Sequence, residues 1–159
     1  MVKSIHHVGL VVDDLDRLVA FYCELLRLTE VGRIESVAPP EGNHTGIPGA
    51  QRTLVFLGVR GSETGAPLIE LVHYHDPVAS EGHLGKHQMG ASHICFMVDD
   101  LQGEYDRLST AGVQFETPPC FSNTAAGRLG VVYGRDPEGN WFELIEGTVQ
   151  FDNAPSDRS

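Results

Sequence analysis

One stretch of this chain occurs twice. HVGLVVDDL at 7–15 aligns without gaps on HICFMVDDL at 93–101, at a constant offset of 86 and with five of nine positions identical. A repeat of this kind signals one supersecondary unit used twice, each copy carrying an apolar face that needs a neighbour to cover it. In each copy a short β-branched apolar run reads as a strand, and the Asp pair after it reads as a helix N-terminus. Asp13 or Asp14, and Asp99 or Asp100, would accept from the unpaired amides of the first helical turn. The first helix then carries Leu15, Leu18, Val19, Tyr22, Leu25 and Leu26 at helical spacing, and the second carries Leu101, Tyr105 and Leu108. Gly112 fits the position just past the second helix.

The copies match again at their ends, where IELV at 69–72 parallels FELI at 142–145. An apolar strand precedes each, at 54–59 and 129–133, followed by a turn at 60–67 and by DPEGN at 136–140, so both ends read as β-hairpins. The fold class is therefore α+β, with two tandem βαβββ modules forming curved mixed sheets, the third strand of each meander left unplaced. The expected boundaries are a first module at 1–76, a linker at 77–91, a second module at 92–146 and a polar C-terminal tail at 147–159. The first copy is longer, and its extra residues fall mainly in 36–52, a Pro- and Gly-rich stretch expected to be an irregular lid or substrate-binding loop.

Composition narrows the function classes. The net charge is −11, with 11 basic residues scattered along the chain, a balance that repels a phosphate backbone and an anionic membrane surface. No apolar run approaches the length of a membrane span, and the N-terminal segment has no signal-peptide pattern. The expectation is a cytoplasmic protein with a small-molecule substrate and neither nucleic acid nor membrane as partner. Three cysteines without CxxC spacing indicate neither a disulfide framework nor a zinc knuckle.

The repeat also duplicates four polar residues in apolar surroundings. Strand alternation places His7, Gly9 and Val11 on one face and Val8, Leu10 and Val12 on the face that meets the helix. Glu70 points away from Ile69 and Leu71, and Glu143 away from Phe142 and Leu144. A single His at a strand start is more often structural than a ligand, and a single carboxylate in an apolar strand finds an Arg or a hydroxyl. Two His and two Glu at equivalent places in two repeats are explained more economically by one metal ion in a cleft that both sheets line. Imidazole and carboxylate suit Zn, Ni, Co, Mn or Fe(II), and four protein ligands leave one or two positions for substrate or water.

These motifs, together with Phe21-Tyr22 in the first helix and the DPEGNWFEL run ending at Leu144, resemble the vicinal oxygen chelate superfamily over nearly the whole chain to about residue 146. That group includes glyoxalase I, methylmalonyl-CoA epimerase, extradiol dioxygenases, fosfomycin-resistance enzymes and metal-free bleomycin-binding proteins. The likeness to glyoxalase I implies metal ligation by His7, Glu70, His93 and Glu143, and the superfamily as a whole implies a homodimer. The first helix departs from the glyoxalase I pattern at Leu18, where a small residue is usual, and at Arg27, where Gly is usual.

Three activities follow as expectations. The leading one is a metal-dependent isomerase or lyase that moves a proton through a chelated enediolate, with Glu143 or Glu70 as base. The second is an extradiol-type Fe(II) dioxygenase, which needs two His and one carboxylate and so needs Glu70 off the metal. The third is a metal-free binding or resistance protein. For substrate contacts the sequence offers Arg52 and Arg128 as anion clamps and Phe56 and Tyr133 as cleft walls. His44, His73, His75, His83 and His87 are expected to face water, and Trp141 to pack.

Overall fold

The computed structural model describes residues 2–42, 44–80, 82 and 84–148. The chain divides into two compact units, Met1–Gly82 and His83–Ser159. In the first, β1 (His7–Val12) leads into α1 (Leu15–Ala20), which widens into a π-helical turn at Phe21–Leu25, and β2 (Leu28–Val37), β3 (Gln51–Val59) and β4 (Leu68–Asp76) follow. The sheet order is β1-β4-β3-β2, with β1 parallel to β4 and the other pairs antiparallel. The second unit repeats this plan with β5 (His93–Met97), α2 (Leu101–Thr110), β6 (Gln114–Phe115), β7 (Cys120–Thr124), β8 (Gly127–Arg135) and β9 (Trp141–Glu146). Its order is β5-β9-β8-β6, with β7 also on β8. The expected pair of βαβββ modules is the observed fold.

Asp14 and Asp100 are the capping members of their Asp pairs, accepting from the amides of Arg17 at 3.0 Å and Gly103 at 2.9 Å. Glu146, the last residue of β9, adds a bond from the Leu101 amide at 2.7 Å, which ties the start of α2 to its sheet. At the other end Gly112, at φ +91°, donates to Ser109 O while Val113 donates to Leu108 O, the double bond of a left-handed helix stop. Each helix lays its leucines on its own sheet. Leu18, Tyr22, Leu57 and Leu71 are fully buried in the first unit, and Leu101, Leu108, Val132, Phe142 and Leu144 in the second.

Two expectations need correction. The segment 36–52 is not all loop: β2 runs to Val37 and β3 begins at Gln51, so the irregular part, among the described residues, is 38–42 and 44–50. The missing third strand of the first module is β2 itself, ten residues long and mostly exposed. Exposure hid it, because a strand that buries little shows little alternation. In the second unit the corresponding edge is broken in two. β6 pairs with the end of β8 and β7 with its start, and Pro118 and Pro119 lie in the gap, where they lack the amides a ladder needs. Among the described residues no helix is long and apolar enough to cross a membrane. Of the expected tail at 147–159, residues 149–159 lie outside the described residues, as does His83.

Candidate metal centre

The parallel pairing inside each unit sets the site. β1 aligns on β4 so that Gly9 faces Glu70, and β5 aligns on β9 so that Cys95 faces Glu143. Both carboxylates thus stand two residues along from the strand-opening histidine of the neighbouring strand, on the same face. His7 Nε2 comes to 3.3 Å from Glu70 Oε2, and His93 Nε2 to 3.0 Å from Glu143 Oε2. The carboxylates are the more enclosed partners, with side chains 16% and 13% exposed against 39% and 44% for the imidazoles.

The antiparallel neighbour completes each set. Phe56 is opposite Glu70 and Tyr133 is opposite Glu143. Their rings stand edge-on to the histidines, with centroids 5.9 Å from His7 and 5.2 Å from His93. The β8–β9 register that puts Tyr133 there is fixed by the DPEGN turn, where buried Asp136 accepts from the Glu138 and Asn140 amides and from Asn140 Nδ2.

The two sets differ in one respect that the sequence did not disclose. The Tyr133 hydroxyl and the Cys95 thiol both hydrogen-bond the Glu143 carboxylate. Partial burial, reinforced by that carboxylate, pushes the Cys95 thiol up to about 11 and raises the Tyr133 hydroxyl above its ordinary value, so both are protonated donors near neutrality. At the equivalent places in the first unit stand Gly9 and Phe56, which have nothing to donate. Cys95 was legible as the residue two past His93 on the same strand face, but its Gly9 counterpart drew attention away from it.

Among the described residues no group of three or more His, Cys, Asp or Glu side chains forms a metal cage, so the expected ligands occur as two pairs. Each pair fits a divalent ion. Two donors at about 2.0–2.2 Å from one ion, at angles between octahedral and tetrahedral, lie roughly 3.0–3.4 Å apart, and the observed separations are 3.3 and 3.0 Å. On the other side of its ring, His7 Nδ1 is 2.8 Å from His6 Nδ1, a partner able to fix the tautomer that frees Nε2.

The other candidates fall elsewhere. Arg52 shares the Phe56 face of β3 but is only 8% exposed, with Nη2 on Ser36 Oγ, its guanidinium by the Tyr74 ring and Nε without a hydrogen-bond partner. Arg128 is five residues from Tyr133, hence on the opposite face, where it stacks on Phe121 and approaches Glu146 at 3.8 Å. His75 contacts Thr53 Oγ1 at 2.7 Å and His73 contacts the Val12 carbonyl at 3.3 Å, so these two histidines are engaged within the fold. Trp141 is buried as expected, and it also donates from Nε1 to Leu84 O at 3.0 Å.

A family model described as the Glyoxalase/Bleomycin resistance protein/Dioxygenase superfamily matches residues 4–144. The chain belongs to this superfamily. This superfamily member is 27% identical over 147 residues to the uncharacterized protein YwbC of Bacillus subtilis, a match covering 92% of this chain and 99% of that one. It is 26% identical over 140 residues to a probable lactoylglutathione lyase of Synechocystis, covering 88% and 92%. Among solved structures, a glyoxalase family protein from Bacillus cereus superposes with a TM-score of 0.79 at 22% identity, covering 94% of this chain and 97% of that one. The trypanothione-dependent glyoxalase I of Leishmania major superposes at 0.63 with 23% identity, covering 91% and 87%. These two likenesses show the two-module fold, and the Synechocystis match is a distant similarity to lactoylglutathione lyases.

Proposed function

We propose that this chain is a divalent-metal-dependent isomerase or lyase that shifts a proton on a small carbonyl substrate, with His7, Glu70, His93 and Glu143 as the ligands. The observation that carries the reading is the second carboxylate: both His–Glu pairs occupy the same register positions and both have the spacing of two ligands on one ion. An Fe(II) ring-cleaving site would use one carboxylate and leave the other without a task.

When bound, the ion would polarise a substrate carbonyl and so acidify the neighbouring C–H. The rest falls to the chain's own groups. Glu143 accepts from two protonated side chains, Cys95 and Tyr133, which fix its direction, while His93 stands 3.0 Å away as the other member of the pair. Among the described residues, His7 is the partner the structure gives Glu70, and Gly9, at the place Cys95 takes in the other unit, has no side chain to bond it: Glu70 Oε2 lies 3.4 Å from where a Cβ on Gly9 would stand. Glu70 is therefore the carboxylate free to turn and take a proton on Oε2, and Glu143 is the fixed one. Phe56, beside Glu70, keeps that side apolar, which raises the cost of stray water around a developing negative charge.

The test is proton exchange in deuterated water, followed by NMR, with dihydroxyacetone and the glutathione hemithioacetal of methylglyoxal as first substrates. Wild-type protein is expected to wash deuterium into the carbon next to the carbonyl. Glu70→Gln should lose at least about a hundredfold of that rate, the lower end for a general base. Full exchange in Glu70→Gln, together with oxygen consumption by the wild type in the presence of a catechol, would replace this reading with ring cleavage.

A further inference from the structure

Strand register lays out the Glu70 face of the first sheet in rows. Gly9, Glu70, Phe56 and Gly32 stand opposite one another across β1, β4, β3 and β2. Two residues along come Val11, Val72, Leu54 and Ile34, and two further along come Tyr74, Arg52 and Ser36. Opposed residues share a face, and steps of two keep to it. The first row carries the carboxylate of the His7–Glu70 pair, the second is wholly apolar, and the third carries a guanidinium. Phe56 and Arg52 are four strand residues apart, roughly 13 Å. Arg52 is anomalous as a structural residue. It is 8% exposed, its Nε is shut off from solvent with no acceptor, and its contacts are Ser36 Oγ, 3.2 Å from Nη2, and the Tyr74 ring, 5.7 Å from the guanidinium carbon to the centroid. Neither contact is an anion. Arginine does not shed its charge when buried, as lysine can, and a buried ion without a counterion destabilises the fold.

The acids of this region do not supply that counterion. Glu35 is on the opposite face of β2, where it accepts from Thr53 Oγ1 at 2.7 Å. Glu70 is two rows away, against His7. Asp76, opposite Gln51 at the exposed end of β4, forms no ion pair with Arg52, and an exposed carboxylate out of contact is screened by water. Nη1 also makes no bond to a described residue, but unlike Nε it is not shut off from solvent, so an anion can reach the guanidinium from that side. We propose that Arg52 is an anion-binding group that receives the carboxylate of a substrate, the planar acid that a guanidinium fork fits. The substrate carbonyl would lie at the His7–Glu70 row and an apolar chain would cross the Val72–Leu54 row between them. The substrate class is then an oxo acid whose carbonyl and carboxylate are separated by an apolar stretch of about the 13 Å row spacing. This substrate assignment rests on the metal-site reading, whereas anion binding at Arg52 does not.

The Nε–H signal of Arg52 in a ¹⁵N-correlated NMR spectrum reads the guanidinium directly, and it is assigned as the one missing from Arg52→Met or from Arg52→Lys. Full-length protein stripped with EDTA is titrated at constant ionic strength with hexanoate, acetate, inorganic phosphate and neutral hexanamide. Hexanoate should shift the Arg52 signal saturably and hexanamide should not. Acetate, which lacks the chain that would cross the apolar row, should bind at least about tenfold more weakly. Arg52→Met removes a buried charge while keeping an unbranched side chain, so it should melt no lower than the wild type. Hexanoate should raise the melting temperature of the wild type and leave that of Arg52→Met unchanged. No saturable shift with hexanoate, or the same thermal response in Arg52→Met, would overturn the anion site. Equal binding of acetate and hexanoate would overturn the apolar crossing, and tighter binding of phosphate the choice of carboxylate. Metal content is measured separately. Hexanoate binding at Arg52 in a protein that takes up no metal would sink the metal reading and leave the anion site standing; metal uptake with no hexanoate response would do the reverse.

Discussion

Tyr133 and Phe56 stand at the same place in the two units and differ by one hydroxyl. A hydrogen-bond donor behind a metal ligand orients it and lowers the entropy lost on binding. Tyr133→Phe removes one of two donors to Glu143, the other being Cys95, while keeping the ring packed edge-on to His93. Metal affinity, measured by competition with a chromophoric chelator, should fall about tenfold or more, in the range found when a supporting hydrogen bond to a ligand is lost, with the melting temperature of the metal-free protein nearly unchanged. The same affinity in Tyr133→Phe would mean that the hydroxyl plays no part in holding Glu143. At this scale the sequence was informative about identity and silent about environment. His7, Glu70, His93 and Glu143 stood out because they repeat, whereas the Cys95 contact depends on a neighbour brought in from β9.

Gly112 shows how an element's end is written locally. Its φ of +91° is the left-handed geometry that lets Val113 bond back to Leu108, and no atom lies within 4 Å of where a Cβ would be added. Gly112→Ala therefore isolates the backbone cost, expected at about 1 kcal/mol, read as a lower denaturation midpoint at unchanged slope in urea. Helix starts and stops were legible for this reason: caps and left-handed glycines act within a few residues. The same holds for β1, β4, β5, β8 and β9, which alternate between a covered and an open face. What escaped was β2, whose outer residues Val31, Ile34 and Val37 are exposed, and the split of the last edge into β6 and β7. β2 and β7 bury little of their length, so their own sequence carries little alternation to read. Arg27 is a related case. It holds φ +61° immediately before β2, at the position where the glyoxalase I pattern places Gly, so the turn geometry is kept here without the residue that adopts it at least cost.

Across the whole molecule each unit supplies two donors, fewer than the four a divalent ion ordinarily takes from imidazole and carboxylate. Neither pair alone makes a tight site, so the proposed function requires both pairs on one ion, whether from one chain or from two copies. The open sheet faces also leave apolar side chains uncovered, Val11 55% and Met97 76% exposed. The acidic surface, at −11, draws a cation in and keeps nucleic acid away. Stoichiometry and mutation together decide how the pairs are used. With both pairs on one ion, metal analysis gives one ion per chain, and His7→Ala and His93→Ala each abolish nearly all tight binding. Loss of one supporting hydrogen bond costs about 10–100-fold in affinity, and loss of a direct ligand should exceed that. Two independent half-sites would instead bind two ions per chain, weakly, and each substitution would remove one ion and leave the other. A dimer that forms the site between copies adds a further mark: mixing His7→Ala with His93→Ala protein would restore about a quarter of the sites on random exchange, because roughly half of the dimers are mixed and each of those has one intact site of two, while a site closed within one chain would stay empty in every mixture.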